Sequence, residues 1–354
     1  ILRPISYFSE NEKRQLQTAP TFSWTSLEDG FFASGVESYL SDHFPARLQL
    51  VGLNAYSTLF SGQNGANGVY AGKDGYLINK PISVDTVNFE QNLSAIRSFA
   101  KQQNLSAYLM VVPTTGDIEP DKLPAVHAPY PDDSLLEQAR KAVSTDVSWV
   151  DLKDAFSKSE TKSNLFYRTD HHWTSAGAYL AYCTFCAQKG FSPLAVSQFT
   201  KQNISGFYGT TYSKSGLWGV TPDTLSVWIN SALHVSMAIQ DDGTSAAIHS
   251  DSMFFWNQLG HKDKYPIFLD GNHSLVTIEN SSAPDRGLLI VKDSYADSLA
   301  PFLASHYRRI DLVDLRYFHQ NSVSSLIKKD RLDEVLFVYG VDSLVNDRNI
   351  SMLD

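Results

Sequence analysis

The sequence predicts an α/β protein: a three-layer α/β/α sandwich on a mainly parallel sheet, with an N-terminal extension and a β-rich insertion. Three observations lead there. From about residue 85, short apolar runs that suit buried strands alternate with longer stretches that suit helices, the pattern of βαβ units. Between about residues 200 and 285 the alternation gives way to short β-rich runs set among Gly, Ser, Tyr and Trp. Beyond 285 it resumes. With 354 residues and 43% hydrophobic content, the chain can fill the core such a fold needs.

Residues 1–80 read as the extension, packing on a main domain of residues 81–354. The extension holds a helical stretch, "FFASGVESYLSDHFPARLQLVGLNAYSTLF", and then "GVYAGKDGYLIN", where Lys73-Asp74-Gly75 between two β-rich runs is a hairpin signal. The main domain continues as helix "VNFEQNLSAIRSFAKQQ", strand "AYLMVVP", a helix near 132–144 and strand "VSWVDL". A helix from about Ser175 to Lys189 follows, with Thr174 as its N-cap and Gly190 placed to end it. In the insertion, "TLSVWI", "SMFFWNQ", "YPIFLD" and "SLVTIE" read as strands. The closing run is strand "GLLIV", helix "DSLAPFLASHY", strand "RIDLVDL", helix "SVSSLIKK" and strand "EVLFVYG". No repeat of fixed period is visible, which argues against a solenoid.

A net charge of -9 argues against nucleic acid as a partner, because that affinity comes largely from Lys and Arg neutralising phosphates. No run of about 18 apolar residues is present to form a spanning helix. The start at Ile1 suits a mature or trimmed chain whose signal peptide or anchor has been removed. Cys183 and Cys186 have C-x-x-C spacing, but they fall in mid-helix with no second ligand pair, so they read as buried helix-face thiols.

Open parallel sheets collect ligands beyond the carboxyl ends of their strands. After "LLIV" the chain reads Lys292-Asp293-Ser294-Tyr295 and enters a helix, which sets a serine hydroxyl at the sheet edge near helix N-terminal amides suited to an oxyanion. A serine needs a base, and the base an orienting acid. "TDHHWTSAGAYLAY" supplies both: His172 can take the Ser294 proton, and Asp170, two residues earlier, can reach back to fix the imidazole. Trp173 and Tyr295 are the candidates to shield the site and contact substrate.

Other readings stand beside this one. Asp170, His171, His172 and Ser294 could each be an ordinary helix-start residue. A dinuclear metal site could draw on the same histidines with "GDIEPD" (116–121) and "GNHS" (271–274), although the order of those segments is wrong for it and the acid expected after Gly-Asn-His is Ser274. The reading adopted takes no metal and no cofactor. Gly271 and Asn272 read either as a plain turn or as oxyanion donors that join the Ser294 backbone.

"TDHHWTSAGA" together with "VKDSYADSLAPFL" resembles the DHHW protein family of bacteria, which is similar to the alginate O-acetyltransferase group of the SGNH hydrolase superfamily. "SDHFPAR", "VYAGKDGYLI", "VVPTTGDIEPDKLP", "FYGTTYSKSG" and "GNHSLVTI" agree as well, so the resemblance spans nearly the whole chain. It implies an SGNH hydrolase-like fold and an exported or surface-anchored O-acetyltransferase or acetylesterase. Its partners would be an acetyl donor, a cell-envelope or secreted polysaccharide as acceptor and a companion membrane-bound O-acyltransferase. In this resemblance Ser294 matches the nucleophile, His172 the base and Asp170 the acid, while His171 falls in the variable slot. The superfamily's Gly-Asp-Ser block is Lys292-Asp293-Ser294 here, without the glycine. The alternative from a different class is a non-catalytic polysaccharide-binding or assembly protein, in which Trp218, Trp228 and Trp256 stack on sugar faces.

Overall fold

The computed structural model describes residues 8–9, 14–244, 246–319 and 321–353. Ile1 and the rest of 1–7, with 10–13, all within the expected extension, lie outside the described residues.

The pair β1 (Phe8–Ser9) and β2 (Arg14–Gln15) precedes three helices, α1 (Trp24–Glu28), α2 (Phe31–His43) and α3 (Arg47–Phe60). The single helical stretch expected over 31–60 is thus two helices. They part at Phe44-Pro45-Ala46, because the residue before proline is driven to extended backbone and Ala46 takes a left-handed φ of 60°. A small antiparallel sheet follows: β3 (Gly65–Ala66), β4 (Val69–Ala71) and β5 (Leu77–Asn79). The hairpin expected at Lys73-Asp74-Gly75 is present, and both Asp74 and Gly75 take the positive φ such a turn needs.

The next elements are α4 (Thr86–Gln103), β6 (Ser106–Val112), α5 (Thr115–Ile118), α6 (Asp132–Val143), β7 (Ser148–Val150), α7 (Leu152–Ser157) and α8 (Ser175–Lys189). Thr174 caps α8 by accepting from the Gly177 amide, and Gly190 ends it in the left-handed region. The segment at 200–285 supplies β8 (Thr200–Phe207), α9 (Thr210–Ser215), β9 (Asp223–Ile229), β10 (Ser236–Gln240), β11 (Ile248–Ser250) and β12 (Leu275–Glu279). "SMFFWNQ" and "YPIFLD", read as strands, are not. Pro266 lacks a ladder donor and Leu269 and Asp270 take positive φ, so the apolar side chains fill a small core from loops and single turns. The chain closes with β13 (Gly287–Lys292), α10 (Tyr295–Leu303), β14 (Arg309–Val313), α11 (Val323–Asp330), β15 (Glu334–Gly340) and α12 (Val341–Asn346).

Eight strands form one sheet in the order β11-β10-β12-β14-β13-β15-β6-β7. The five from β14 to β7 are mutually parallel, as the alternation requires, whereas β12, β10 and β11 extend the β14 edge antiparallel. The sheet is therefore mixed, and part of the expected insertion belongs to it. Antiparallel neighbours can be joined by a loop, and among the described residues no α-helix lies between β10, β11 and β12.

Alternate residues of the parallel strands feed two cores. Leu288, Ile290, Leu336 and Val338 pack with α7, α8 and α10, while Leu289, Val291, Val335 and Phe337 pack with α4, α6, α11 and α12. Helices on both faces explain why β13 and β15 are buried at every position, with runs of consecutive apolar residues rather than alternation, and Lys292 and Glu334 at one end of each. Among the described residues no helix is long and apolar enough to cross a membrane.

Candidate active site

Ser294 stands where β13 ends and α10 begins. The turn is pinned by Asp293, whose carboxylate accepts from the amides of Tyr295 (3.1 Å) and Gly340 (2.8 Å), tying it to the end of β15. Residues 292–295 all have negative φ, so this turn does not call for the glycine absent at Lys292. Lys292 is buried instead, its Nζ 2.6 Å from Asp297 Oδ1 and 3.2 Å from Asn272 Oδ1.

The second half of the site is a tight loop before α8. Phe166 and Trp173 bridge across its base, and the Tyr167 amide donates to the His172 carbonyl. Within it Asp170 folds back on its own chain, Oδ1 accepting from the His172 amide (2.8 Å) and from His172 Nδ1 (2.5 Å). With Nδ1 donating, Nε2 is the acceptor, and it lies 2.6 Å from Ser294 Oγ. The structure brings Asp170, His172 and Ser294 into one unbroken row of hydrogen bonds, with Asp170 and His172 buried and the serine partly open.

Four residues not singled out from the sequence hold this row. Thr210 donates to Asp170 Oδ2 from its amide (2.5 Å) and hydroxyl (3.0 Å), so the carboxylate has four donors. Gly209 lets α9 approach, since a Cβ there would fall on the Asp170 side chain. Tyr265 lies flat on the His172 imidazole, ring centroids 3.9 Å apart, and donates to the Ser294 carbonyl. Asp223 on β9 accepts from the amides of Arg168 and Thr169 and from the Thr169 hydroxyl, anchoring the loop. Gly209-Thr210 stood inside "FYGTTYSKSG". Tyr265 and Asp223 left no local signal, because they act from other elements.

The remaining expected residues fall in different places. Trp173 is fully buried, its indole donating to Ser298 Oγ at 2.8 Å, so it braces the loop from inside. Tyr295 lines a cavity of about 300 Å³ and donates to the His171 carbonyl. His171 lines the same cavity, its Nδ1 2.5 Å from Thr210 Oγ1. The Gly271 amide donates to the Phe268 carbonyl in a turn, and Asn272 meets Lys292 through its oxygen. The Ser294 amide has no acceptor among the described residues. Trp228 is core, whereas Trp218 and Trp256 are exposed.

Asp170, His171 and His172 are the one group among the described residues whose ligand atoms cluster closely enough for a metal ion. Asp170 Oδ1 and His172 Nδ1 are already paired with each other, and a metal would have to part them. Asp117 and His273, from the two segments of the dinuclear reading, are bonded to Lys153 and Asp241 instead. Cys186 is a buried free thiol that burial pushes up to about 12, and Cys183 is a half-buried free thiol.

Comparison with known proteins agrees with this architecture. The probable alginate O-acetylase AlgJ of Pseudomonas aeruginosa is 27% identical over 178 residues, covering 46% of this chain and 44% of that protein. The protein of the same name from Pseudomonas syringae pv. tomato is 27% identical over 183 residues, 48% of this chain and 45% of its own. The chain thus spans less than half the length of the curated relatives it matches. A DHHW family protein from Eubacterium siraeum has a solved structure that superposes with a TM-score of 0.67 at 26% identity, over 81% of this chain and 95% of that one. Bacillus cereus PatB1, solved with a sulfonyl adduct, shares the fold with a TM-score of 0.68 at 22% identity, over 80% and 97%. The profile described as DHHW protein matches residues 70–313, a stretch that contains the Asp170–Trp173 motif and Ser294 alike, and the chain therefore belongs to the DHHW family.

Proposed function

We propose that this chain is a serine-dependent O-acetyltransferase or acetylesterase acting on a cell-envelope or secreted polysaccharide. The observation that carries the reading is the row Asp170–His172–Ser294, with 2.5 Å and 2.6 Å between successive polar atoms. The name O-acetylase borne by the curated relatives supports the acyl group as acetyl. Export of the chain, a membrane-bound O-acyltransferase companion, the SGNH hydrolase-like description of the fold and its division at residue 80 belong to the same proposal.

In this mechanism Ser294 Oγ attacks the acetyl carbonyl carbon while its proton passes to His172 Nε2. Asp170 holds the imidazole in the tautomer that accepts at Nε2 and stabilises the imidazolium that forms. The oxyanion faces the unpaired Ser294 amide. Collapse expels the donor's alkoxide, which takes the proton from His172 and leaves acetyl-Ser294. A sugar hydroxyl then gives its proton to His172 and attacks the acetyl carbon, forming the product ester and freeing the serine, and water in the same role gives acetate.

Hydrolysis of a chromogenic acetyl ester tests the reading. Ser294→Ala and His172→Ala are each expected to lower turnover by at least about a thousandfold, with EDTA without effect on the wild type. A wild type without turnover, or variants that retain it, would sink the proposal.

A further inference from the structure

His171 is the member of the Asp170–Trp173 motif to which the mechanism gives no task, yet it is tied into the row from several sides. The Thr210 hydroxyl donates to Asp170 Oδ2, so it accepts from His171 Nδ1, 2.5 Å away, which sets a proton of His171 on that nitrogen. The His171 carbonyl accepts from the Tyr295 hydroxyl at 2.7 Å. Its imidazole lies against that of His172, ring centroids 3.9 Å apart and planes 38° from parallel. Tyr265 is also 3.9 Å from the His172 ring, at 10°. A neighbour whose centroid is that close can lie only over a ring face, and two rings at that height over the same face would overlap, so Tyr265 and His171 take opposite faces of His172. Tyr295 closes an edge, its ring 5.1 Å away at 66°.

The soft motion of a histidine is rotation of its ring about Cβ–Cγ, a torsion with broad wells. The bond from Nδ1 to Asp170 restrains it weakly, since a hydrogen bond tolerates about 30° of misalignment. A ring pressed on each face restrains it steeply, in both senses. We propose that His171 is a positioning residue: it clamps the His172 imidazole against Tyr265, and Thr210 holds the clamp, so that Nε2 stays aimed at Ser294 Oγ. The assignment rests on the acyl-transfer reading, in which Nε2 needs that aim both to form and to discharge the acetyl-serine. It also gives Thr210 two tasks, one behind the acid and one behind the clamp.

Turnover of the chromogenic acetyl ester, with kcat and KM read separately, is one arm of the test. His171→Ala opens a face of His172 and should lower kcat about tenfold while KM stays within about twofold. His171→Phe puts a ring back on that face and should regain most of the loss. His171→Asn keeps a donor for Thr210 but no ring, and should stay close to the alanine variant. The second arm is proton NMR of the His172 Nδ1 proton shared with Asp170, a signal that a role in stability alone would not move. It should broaden or shift in His171→Ala and return in His171→Phe. Wild-type kcat in His171→Ala, recovery by asparagine but not by phenylalanine, or an Nδ1 proton unchanged in His171→Ala would overturn the assignment. Should His171→Ala fail to fold, the contrast between phenylalanine and asparagine decides alone. A wild type inert to the ester removes the acyl-transfer reading, and the Nδ1 proton then decides the clamp by itself.

Discussion

Asp170 shows how much of the site depends on single contacts. Its carboxylate takes two donors from His172 and two from Thr210, an arrangement that an acceptor-only group satisfies and an amide does not. Asp170→Asn should therefore fold but lose turnover on the order of ten-thousandfold, because the amide favours the wrong imidazole tautomer. Steady-state kinetics beside a thermal melt would check both halves of that statement. Gly209→Ala reaches the same carboxylate by another route. The new methyl group meets the Asp170 side chain and must push it from His172, so turnover should fall by at least tenfold at a Tm lowered by only a few degrees. An alanine variant with wild-type kcat/KM would show that the loop yields at no cost.

At the scale of elements, the junction of β13 with α10 is held from behind by charge. Lys292, wholly covered, lies 2.6 Å from Asp297 on the first turn of α10 and 3.8 Å from Asp314 just past β14, and Asp314 is also held by Arg316. Lys292→Met leaves Asp297 without its cation and should cost about 3–5 kcal/mol in urea unfolding. Coupling it with Asp297→Leu should recover most of that loss, and a double variant no better than the single one would refute the pairing as the cause. None of this was legible in "VKDSY", where Lys292 read as a missing glycine. Runs with one dominant signal were legible: "EVLFVYG" is β15 from end to end, and Thr174 and Gly190 bound α8 as their chemistry dictates. "YPIFLD" and "SMFFWNQ" were misread because apolar content alone does not separate a strand from a loop that fills a core.

Across the whole molecule, pH reports on buried carboxyls. Burial raises Asp132 to about 6 from its ordinary 3.8, outweighing the Thr114 amide that bonds it, with Asp117 and Asp342 adding to the shift. A folded acid that keeps its proton to higher pH than the unfolded chain stabilises the fold below about pH 4 and loses that contribution as pH rises through about 6. Asp132→Asn should therefore be more favourable relative to wild type near pH 7 than near pH 4 in chemical denaturation. An unchanged difference would show that Asp132 does not carry the shift. The candidate site was legible at this scale only as motifs. Two segments 122 residues apart, Asp170–His172 and Ser294, supplied the three side chains that the fold brings into one hydrogen-bonded row. The packing that joins them, through Tyr265, Thr210 and Asp223, required the fold.

Asp170 and His172 share one loop and are two residues apart, while Ser294 belongs to another element. Any drift of the loop carries Asp170 and His172 together as a rigid pair. Of the two separations in the row, one travels with the loop and only the distance from Nε2 to Oγ varies. Alignment of the site thus reduces to a single coordinate, which Tyr265, touching the imidazole with its face and the serine backbone with its hydroxyl, spans like a caliper.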